Sequence, residues 1–393
     1  MAAVLRRLGP FIKSNESLSN PFRKALYNYF YRPNSQIIRI KDIETCRQQT
    51  VETIFKSGIF KNHLPKLSGT KEQIIETPYP EVSIYKFENA CISISSSAVW
   101  VKDHLVTYRS EGERFNEGFI NVHNDKDAKV TLKDTEQLEE GFFLGGCGSW
   151  NWFHFIIEIM PKMMVLNEKY TQTILVNDII LKTPSMQVIL ELFAHNEFKV
   201  RYLSPDKTYL VKNLYYMNDF NHVQFNRFDG QIKADGTFYN ADILKQFSDR
   251  ILGNLAGKND IPKRLFLYRK NTHRIAENQD QIMDYLKDFG FVPLCLEELS
   301  IDQQAAYFNK AEFIIGISGA AWTNLIFCRN HPKAISFVAD NARSFSAFSN
   351  LGHIFDVDFY IQLYNHSGLH SDSNFIINFE EFKELFRNIN GIQ

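Results

Sequence analysis

The chain has 393 residues, 44% of them hydrophobic and 14% aromatic, which supplies a large core and more length than one domain ordinarily holds. Lys plus Arg total 44 and Asp plus Glu total 45, a formal net charge of −1, and so even a balance argues against a nucleic-acid binder. The five cysteines, Cys46, Cys91, Cys147, Cys295 and Cys328, are scattered, odd in number and form no Cys-x-x-Cys pair, so neither a disulfide framework nor a zinc site is expected.

The amino-terminal stretch MAAVLRRLGPFIKSNESL is broken by Gly9-Pro10 and makes a poor signal peptide, and no apolar run of about 18 residues follows it. A reduced, cytoplasmic chain is the simplest expectation, and the sequons at Asn15 and Asn365 then mean little. Residues 1–41 carry Arg6, Arg7, Lys13, Arg23, Lys24, Arg32, Arg39 and Lys41 against Glu16 alone, a local balance of +7. With Leu5, Leu8, Phe11, Phe22 and Phe30 interleaved, this basic arm suits an anionic membrane surface; a solvated arm fits the composition equally.

Residues 42–145 read as a mixed region of short strands, including ACISISSSAVWV around Cys91 to Val101 and LEEGFFLGG, which ends a further strand in Gly145 and Gly146. GSWNWFHFIIEIMPK, Gly148 to Lys162, then turns helical. At 100° per residue Asn151, His154, Phe155, Glu158 and Lys162 share one stripe, with Phe153, Ile156, Ile157, Met160, Met163 and Met164 opposite. That stripe faces either solvent, where Asn151 is a cap and His154–Glu158 a surface pair, or a cleft. The glycines before it permit close backbone approach to a ligand.

TILVNDIILK, SMQVILELFAH and FKVRYL form a β–α–β pattern, and residues 213–240 read as loops and short strands joining two halves. In 262–338, RLFLYR, FVPLCLEEL, EFIIGI and AISFV alternate with helices, one ending near Gly290 and one capped by Ser300, which predicts a parallel, doubly wound sheet. NFEEFKELFRNI predicts a terminal amphipathic helix. GISGAAWTN, Gly316 to Asn324, leads from a buried strand into a helix; the amides at Ser318, Gly319 and Ala320 suit a pyrophosphate, or else form a tight turn for packing. Arg269, which ends RLFLYR, and Arg274, five residues on in the same loop, stand at the strand edge where ligands bind, and are either diphosphate grips or surface charges.

Taken in order, these motifs resemble glycosyltransferase family 61. They are Asn151, Trp152, His154, Phe155, Glu158, Pro161 and Lys162; then Arg269 and Arg274; then Glu298, Leu299, Ser300 and Gln303; then Gly316, Gly319, Ala320, Thr323, Asn324 and Phe327. The resemblance spans roughly residues 140–340. It implies an α/β, GT-B-like architecture, two Rossmann-like domains with parallel sheets facing a central cleft. The divisions are a basic arm (1–41), an acceptor-side domain (42–240), a nucleotide-sugar domain (241–365) and a tail with its helix (366–393). It further implies inverting transfer from a nucleotide-sugar, a UDP-sugar expected, to a glycan or lipid-linked saccharide in surface-polysaccharide synthesis, at the inner face of a membrane.

No Asp-x-Asp motif stands out, so a metal-independent site without cofactor is expected. His154 and Glu158 would be base and orienting partner, in an order the sequence leaves open, and Asn151 would position substrate. Arg269, Arg274, Ser318, Gly319 and Ala320 would hold the diphosphate, and Thr323 and Asn324 would touch the donor. The chain departs from the family pattern in carrying Ser318 for a His, Glu277-Asn278 for Asn-Glu and Ser336 for a Glu. Those departures admit a weakened or inactive nucleotide-sugar-binding relative. A nicotinamide-dependent oxidoreductase would suit the α/β pattern but lacks the glycine fingerprint.

Overall fold

The computed structural model of the chain describes residues 35–67, 69–194, 197–224, 226–255, 261–270, 275–365 and 374–391. Arg274 and the basic arm as far as residue 34 lie outside the described residues.

In chain order the first half contributes strands β1 (Ser35–Asp42), β2 (Thr50–Phe55), β3 (Gly58–His63), β4 (Lys66–Leu67), β5 (Ile74–Tyr79), β6 (Val82–Ile92) and β7 (Val99–Val101). It continues with β8 (His104–Thr107), β9 (Ile120–His123), β10 (Asp127–Thr131), β11 (Thr135–Leu144), β12 (Thr173–Asn177), helix α1 (Pro184–Ala194), β13 (Lys199–Leu203) and β14 (Thr208–Met217). The second half alternates: α2 (Ala241–Asn254), β15 (Arg264–Leu267), α3 (Gln279–Lys287), β16 (Val292–Leu294), α4 (Ile301–Lys310) and β17 (Phe313–Ile317). It closes with β18 (Lys333–Ala339), α5 (Ala347–Ile354), β19 (Asp358–Tyr364) and α6 (Phe379–Asn390).

The predicted parallel sheet is present in the second half. Its order is β16-β15-β17-β18-β19-β4, with every neighbouring pair parallel. Its strands are apolar on both faces because helices cover both. Leu265, Leu267, Ile314, Ala334 and Val338 point into one core; Phe266, Phe313, Ile315, Ile335 and Phe337 point into the other, with Ile282, Phe382 and Phe386 from α3 and α6. Ser300 caps α4 through a capping box with Gln303, and Asn378 and left-handed Gly391 bracket α6. Numbered by appearance, the last five strands run 2-1-3-4-5, so the order reverses between β15 and β17. The crevice beyond the carboxyl ends of those two strands is where such sheets bind ligands.

The first sheet has eleven strands, in the order β13-β12-β11-β14-β6-β7-β8-β1-β10-β9, with β2 also on β6. β13, β12, β11 and β14 form a parallel block, in the order 3-2-1-4, and β1 and β8 a separate parallel pair; β14 meets β6 antiparallel. It therefore differs from the wholly parallel sheet expected. The connection from β13 to β14, residues 204–207, is far too short for a helical crossover. Here too the order reverses, between β11 and β14.

One core joins the two sheets. It runs from Phe142 and Val176 on the first, through Ile156, Met160, Leu190 and Phe247, to Leu325, Leu351 and Phe359 against the second. The division expected at residue 240 thus falls at the entrance to α2, whose apolar side sits inside that shared layer. Among the described residues, no helix is long and apolar enough to cross a membrane.

Candidate active site

Beyond the end of β11 the chain turns through Gly148, whose φ of 73° is left-handed, and a Cβ there would stand 2.4 Å from His154 Cδ2. This glycine makes room for the imidazole of its own chain, where the sequence had suggested room for a ligand. Asn151 follows as an N-cap, its side-chain oxygen accepting from Phe153 N at 2.9 Å.

The segment expected to be one regular helix is three successive turns: α at Trp152–His154, π at Phe155–Ile159 and 3-10 at Met160–Met164. Pro161 is the cause. It has no N–H for the carbonyl of Ile157, so the ladder widens, and the Asn221 side-chain amide donates to that carbonyl at 2.7 Å instead. The clean polar stripe is lost with the regular period. Phe155 is buried, and so is Lys162, whose Nζ lies 2.5 Å from Asp219 Oδ1 and donates to Met217 O at 3.1 Å.

His154 and Glu158 stay together. His154 Nδ1 is 2.5 Å from Glu158 Oε2, and the other carboxylate oxygen accepts from Val223 N at 2.8 Å, just past β14. His154 is 8% exposed. Burial works to lower its pKa; the charge and hydrogen bond of Glu158, with the charge of Glu117, outweigh this and hold it above the ordinary value. Glu117, raised by burial, accepts from Gly148 N at 3.1 Å. His222 Nε2 lies 3.1 Å from Glu113 Oε2, and it is pushed up to about 9 because Glu113, chiefly, overcomes the opposing effect of burial. Glu113, Glu117, Asp219, Asn221 and His222 went unrecognised in the sequence. Their one signal was polar residues set among buried aromatics, and they converge only through loops.

The second constellation lies at the other reversal. Arg269 leaves β15 with its backbone clamped by the Gln279 side chain, which donates to Arg269 O at 3.0 Å and accepts from Arg269 N at 3.4 Å. Its Nη2 donates to Ser318 O at 2.7 Å, beyond the end of β17. At Gly319 a Cβ would stand 2.2 Å from that same Nη2, so the guanidinium and the glycine turn form one packed unit. Ser318, Gly319 and Ala320 are partly exposed, and a 3-10 helix, Ala320–Phe327, begins there. The residues on either side of Arg269 in the chain, Tyr268 and Lys270, line a cavity of about 550 Å³ with Asp280, Cys295 and Glu298, among others, and Lys270 pairs with Glu298 at 2.8 Å.

Thr323 and Asn324, expected to touch the donor, are fully buried. Asn324 Nδ2 donates to Gln304 Oε1 at 2.8 Å, and Asn324 Oδ1 accepts from Trp152 Nε1 at 3.1 Å. The residue is thus a joint between the two constellations and both ends of its amide are spent. Phe153 adds to that joint by packing edge-on against Phe348 of α5 at 5.6 Å. Ser336 is buried, with its hydroxyl unpaired among the described residues. Two Asp-x-Asp pairs occur outside the span of the resemblance; Asp125 of one pairs with Arg109 and Asp358 of the other with Lys66.

Comparison with known proteins agrees with the motif reading. The family model described as Glycosyltransferase 61 matches residues 152–335, a span that holds His154, Glu158, Arg269 and the Gly319 turn. No curated protein matches the chain. Among solved structures it is similar to the bacterial iron-containing dodecameric glycosyltransferase TibC from enterotoxigenic E. coli, at 13% identity over 78% of this chain and 85% of that one. The TM-score of 0.28 is too low for that likeness to bear on the site.

Proposed function

Residues 152–335 belong to glycosyltransferase family 61 and the chain is a glycosyltransferase; from that premise we propose inverting, metal-independent transfer from a UDP-sugar to a glycan hydroxyl. The observation that carries this reading is the placement of an imidazole–carboxylate pair and a guanidinium–amide turn at the two strand-order reversals, joined through Trp152 and Asn324.

With Nδ1 of His154 committed to Glu158, His154 is the base and accepts the acceptor proton at Nε2; Glu158 orients the ring and stabilises the imidazolium. The acceptor oxygen then attacks the anomeric carbon from the face opposite the leaving group, and the bond to the diphosphate oxygen breaks. Arg269 and the amides at Gly319 and Ala320 balance the charge on the departing nucleoside diphosphate. The nucleoside lies in the cavity beside Tyr268 and Lys270. Asn151, held as a cap, fixes the turn that presents His154, and Arg274 belongs to the same diphosphate grip.

A saccharide acceptor of a surface-polysaccharide pathway at the inner face of a membrane is part of this proposal, with the basic arm as the contact. Sedimentation of the chain with anionic vesicles, and its loss on removing residues 1–34, tests that part. For the reaction, nucleotide sugars are screened by thermal shift and the product of the stabilising donor is analysed. Transfer with inverted anomeric configuration is expected, and retained configuration contradicts the mechanism. Donor binding without any transfer would instead favour the inactive relative, the reading that Ser318 and the unpaired Ser336 hydroxyl support.

A further inference from the structure

A second cluster of ionisable groups lies apart from the site above and shares no residue with it. His63 closes β3, Glu72 stands on the connection between β4 and β5, and His353 occupies the last turn of α5. One ligand atom from each can be chosen so that all three lie within 4.8 Å of one another. His63 Nδ1 is already 2.7 Å from Glu72 Oε1, and the His353 ring stacks on His63 at 3.5 Å. Four ligands at zinc distances lie roughly 3.4 Å apart, so the three need only small movements.

We propose that His63, Glu72 and His353 bind a divalent transition-metal ion of the zinc type, with water completing the tetrahedron. Two imidazoles and one carboxylate are a donor set that suits such ions and disfavours magnesium and calcium. The backbone of His63 is held for the task. Its N–H donates to Asn350 Oδ1 at 2.8 Å and its carbonyl accepts from Ser349 Oγ at 2.7 Å; Asn350 also donates to Asn62 Oδ1 at 2.7 Å. Such outer contacts fix the orientation of a ligand.

The other two ligands are exposed and able to adjust. His353 swings out of the stack to aim a ring nitrogen at the ion, and Glu72 moves on its connecting loop. A cavity of about 470 Å³, lined by His63, Glu72 and His353 with Lys66 and Asp358, opens the cluster to solvent and supplies an entry path. The ion would clamp the β3–β5 ribbon of the first half to α5 of the second, outside the transfer chemistry.

The test is zinc titration of the full chain, stripped with chelator, by calorimetry, together with cobalt substitution read as a tetrahedral ligand-field spectrum. One ion per chain is expected. His353→Ala and Glu72→Gln, both exposed and tolerant of change, should each weaken zinc binding by about tenfold or more, and zinc should raise the Tm of the wild type but not of His353→Ala. His154→Ala should bind zinc as the wild type does. Failure of the wild type to bind zinc, or undiminished binding by His353→Ala, overturns the proposal, as does loss of binding in His154→Ala alone.

Discussion

At Gly148 a hydrogen in place of a methyl group sets where the His154 imidazole rests. Gly148→Ala would bring a Cβ to 2.4 Å from Cδ2 of that ring and force a left-handed φ on an alanine. We expect the variant to fold with a loss of about 1–3 kcal/mol in denaturant melts and to lose most of its transfer activity, because His154 must move. Full activity in Gly148→Ala would show that the imidazole position is not critical. His222 supplies a prediction in pH. Its folded pKa, about 9, lies above the ordinary histidine value near 6.5, so its charged pairing with Glu113 contributes stability that is fully present below about pH 6.5 and lost as pH rises through about 9. The contribution is of order 3 kcal/mol. Glu113→Gln should therefore be destabilised most in acid and approach the wild type in alkali. A gap that stayed flat or widened with pH would refute the pairing.

At the scale of elements, Pro161 and Asn221 act as one device. The proline orphans the carbonyl of Ile157, and Asn221, fully buried, restores its partner while accepting from Asn240 N at 2.7 Å. Asn221→Ala should cost about 2–4 kcal/mol, since two buried groups lose their partners. In a Pro161→Ala background the cost should fall by about 1 kcal/mol or more, because the restored backbone N–H can serve Ile157. Strict additivity in a double-mutant cycle would contradict this account of the π turn. The same device explains what was legible in the sequence. His154 and Glu158 could be paired from their spacing because four residues still bring side chains together in a widened turn. The polar stripe failed because it assumed 100° per residue through Lys162. Apolar runs such as EFIIGI, and the Ser300 cap, depend on near neighbours alone and were readable directly. Glu113 and His222, 109 residues apart, meet through loops that carry no period.

At the scale of the whole molecule, the parallel sheet of the second half was legible from alternating strands and helices, whereas the mixed first sheet was not. Pairing of β14 with β6, or of β4 with β19, is a long-range choice that local propensity does not encode. The role of Asn324 was hidden for the same reason, since its partner Trp152 lies 172 residues away. That amide connects the strand-order reversal carrying the His154–Glu158 pair to the one carrying the Arg269 guanidinium. Asn324→Ala should cost about 2–4 kcal/mol and lower turnover even though the residue is sealed from substrate. Unchanged stability and turnover would mean that the joint is idle.

The division of labour between the two reversals is tested most directly by UDP calorimetry set beside turnover in two variants. Arg269→Ala should weaken UDP binding by about tenfold or more. His154→Ala should bind UDP as the wild type does, yet transfer sugar about a hundredfold more slowly or worse. Undiminished UDP binding in Arg269→Ala, or wild-type turnover in His154→Ala, would contradict the account.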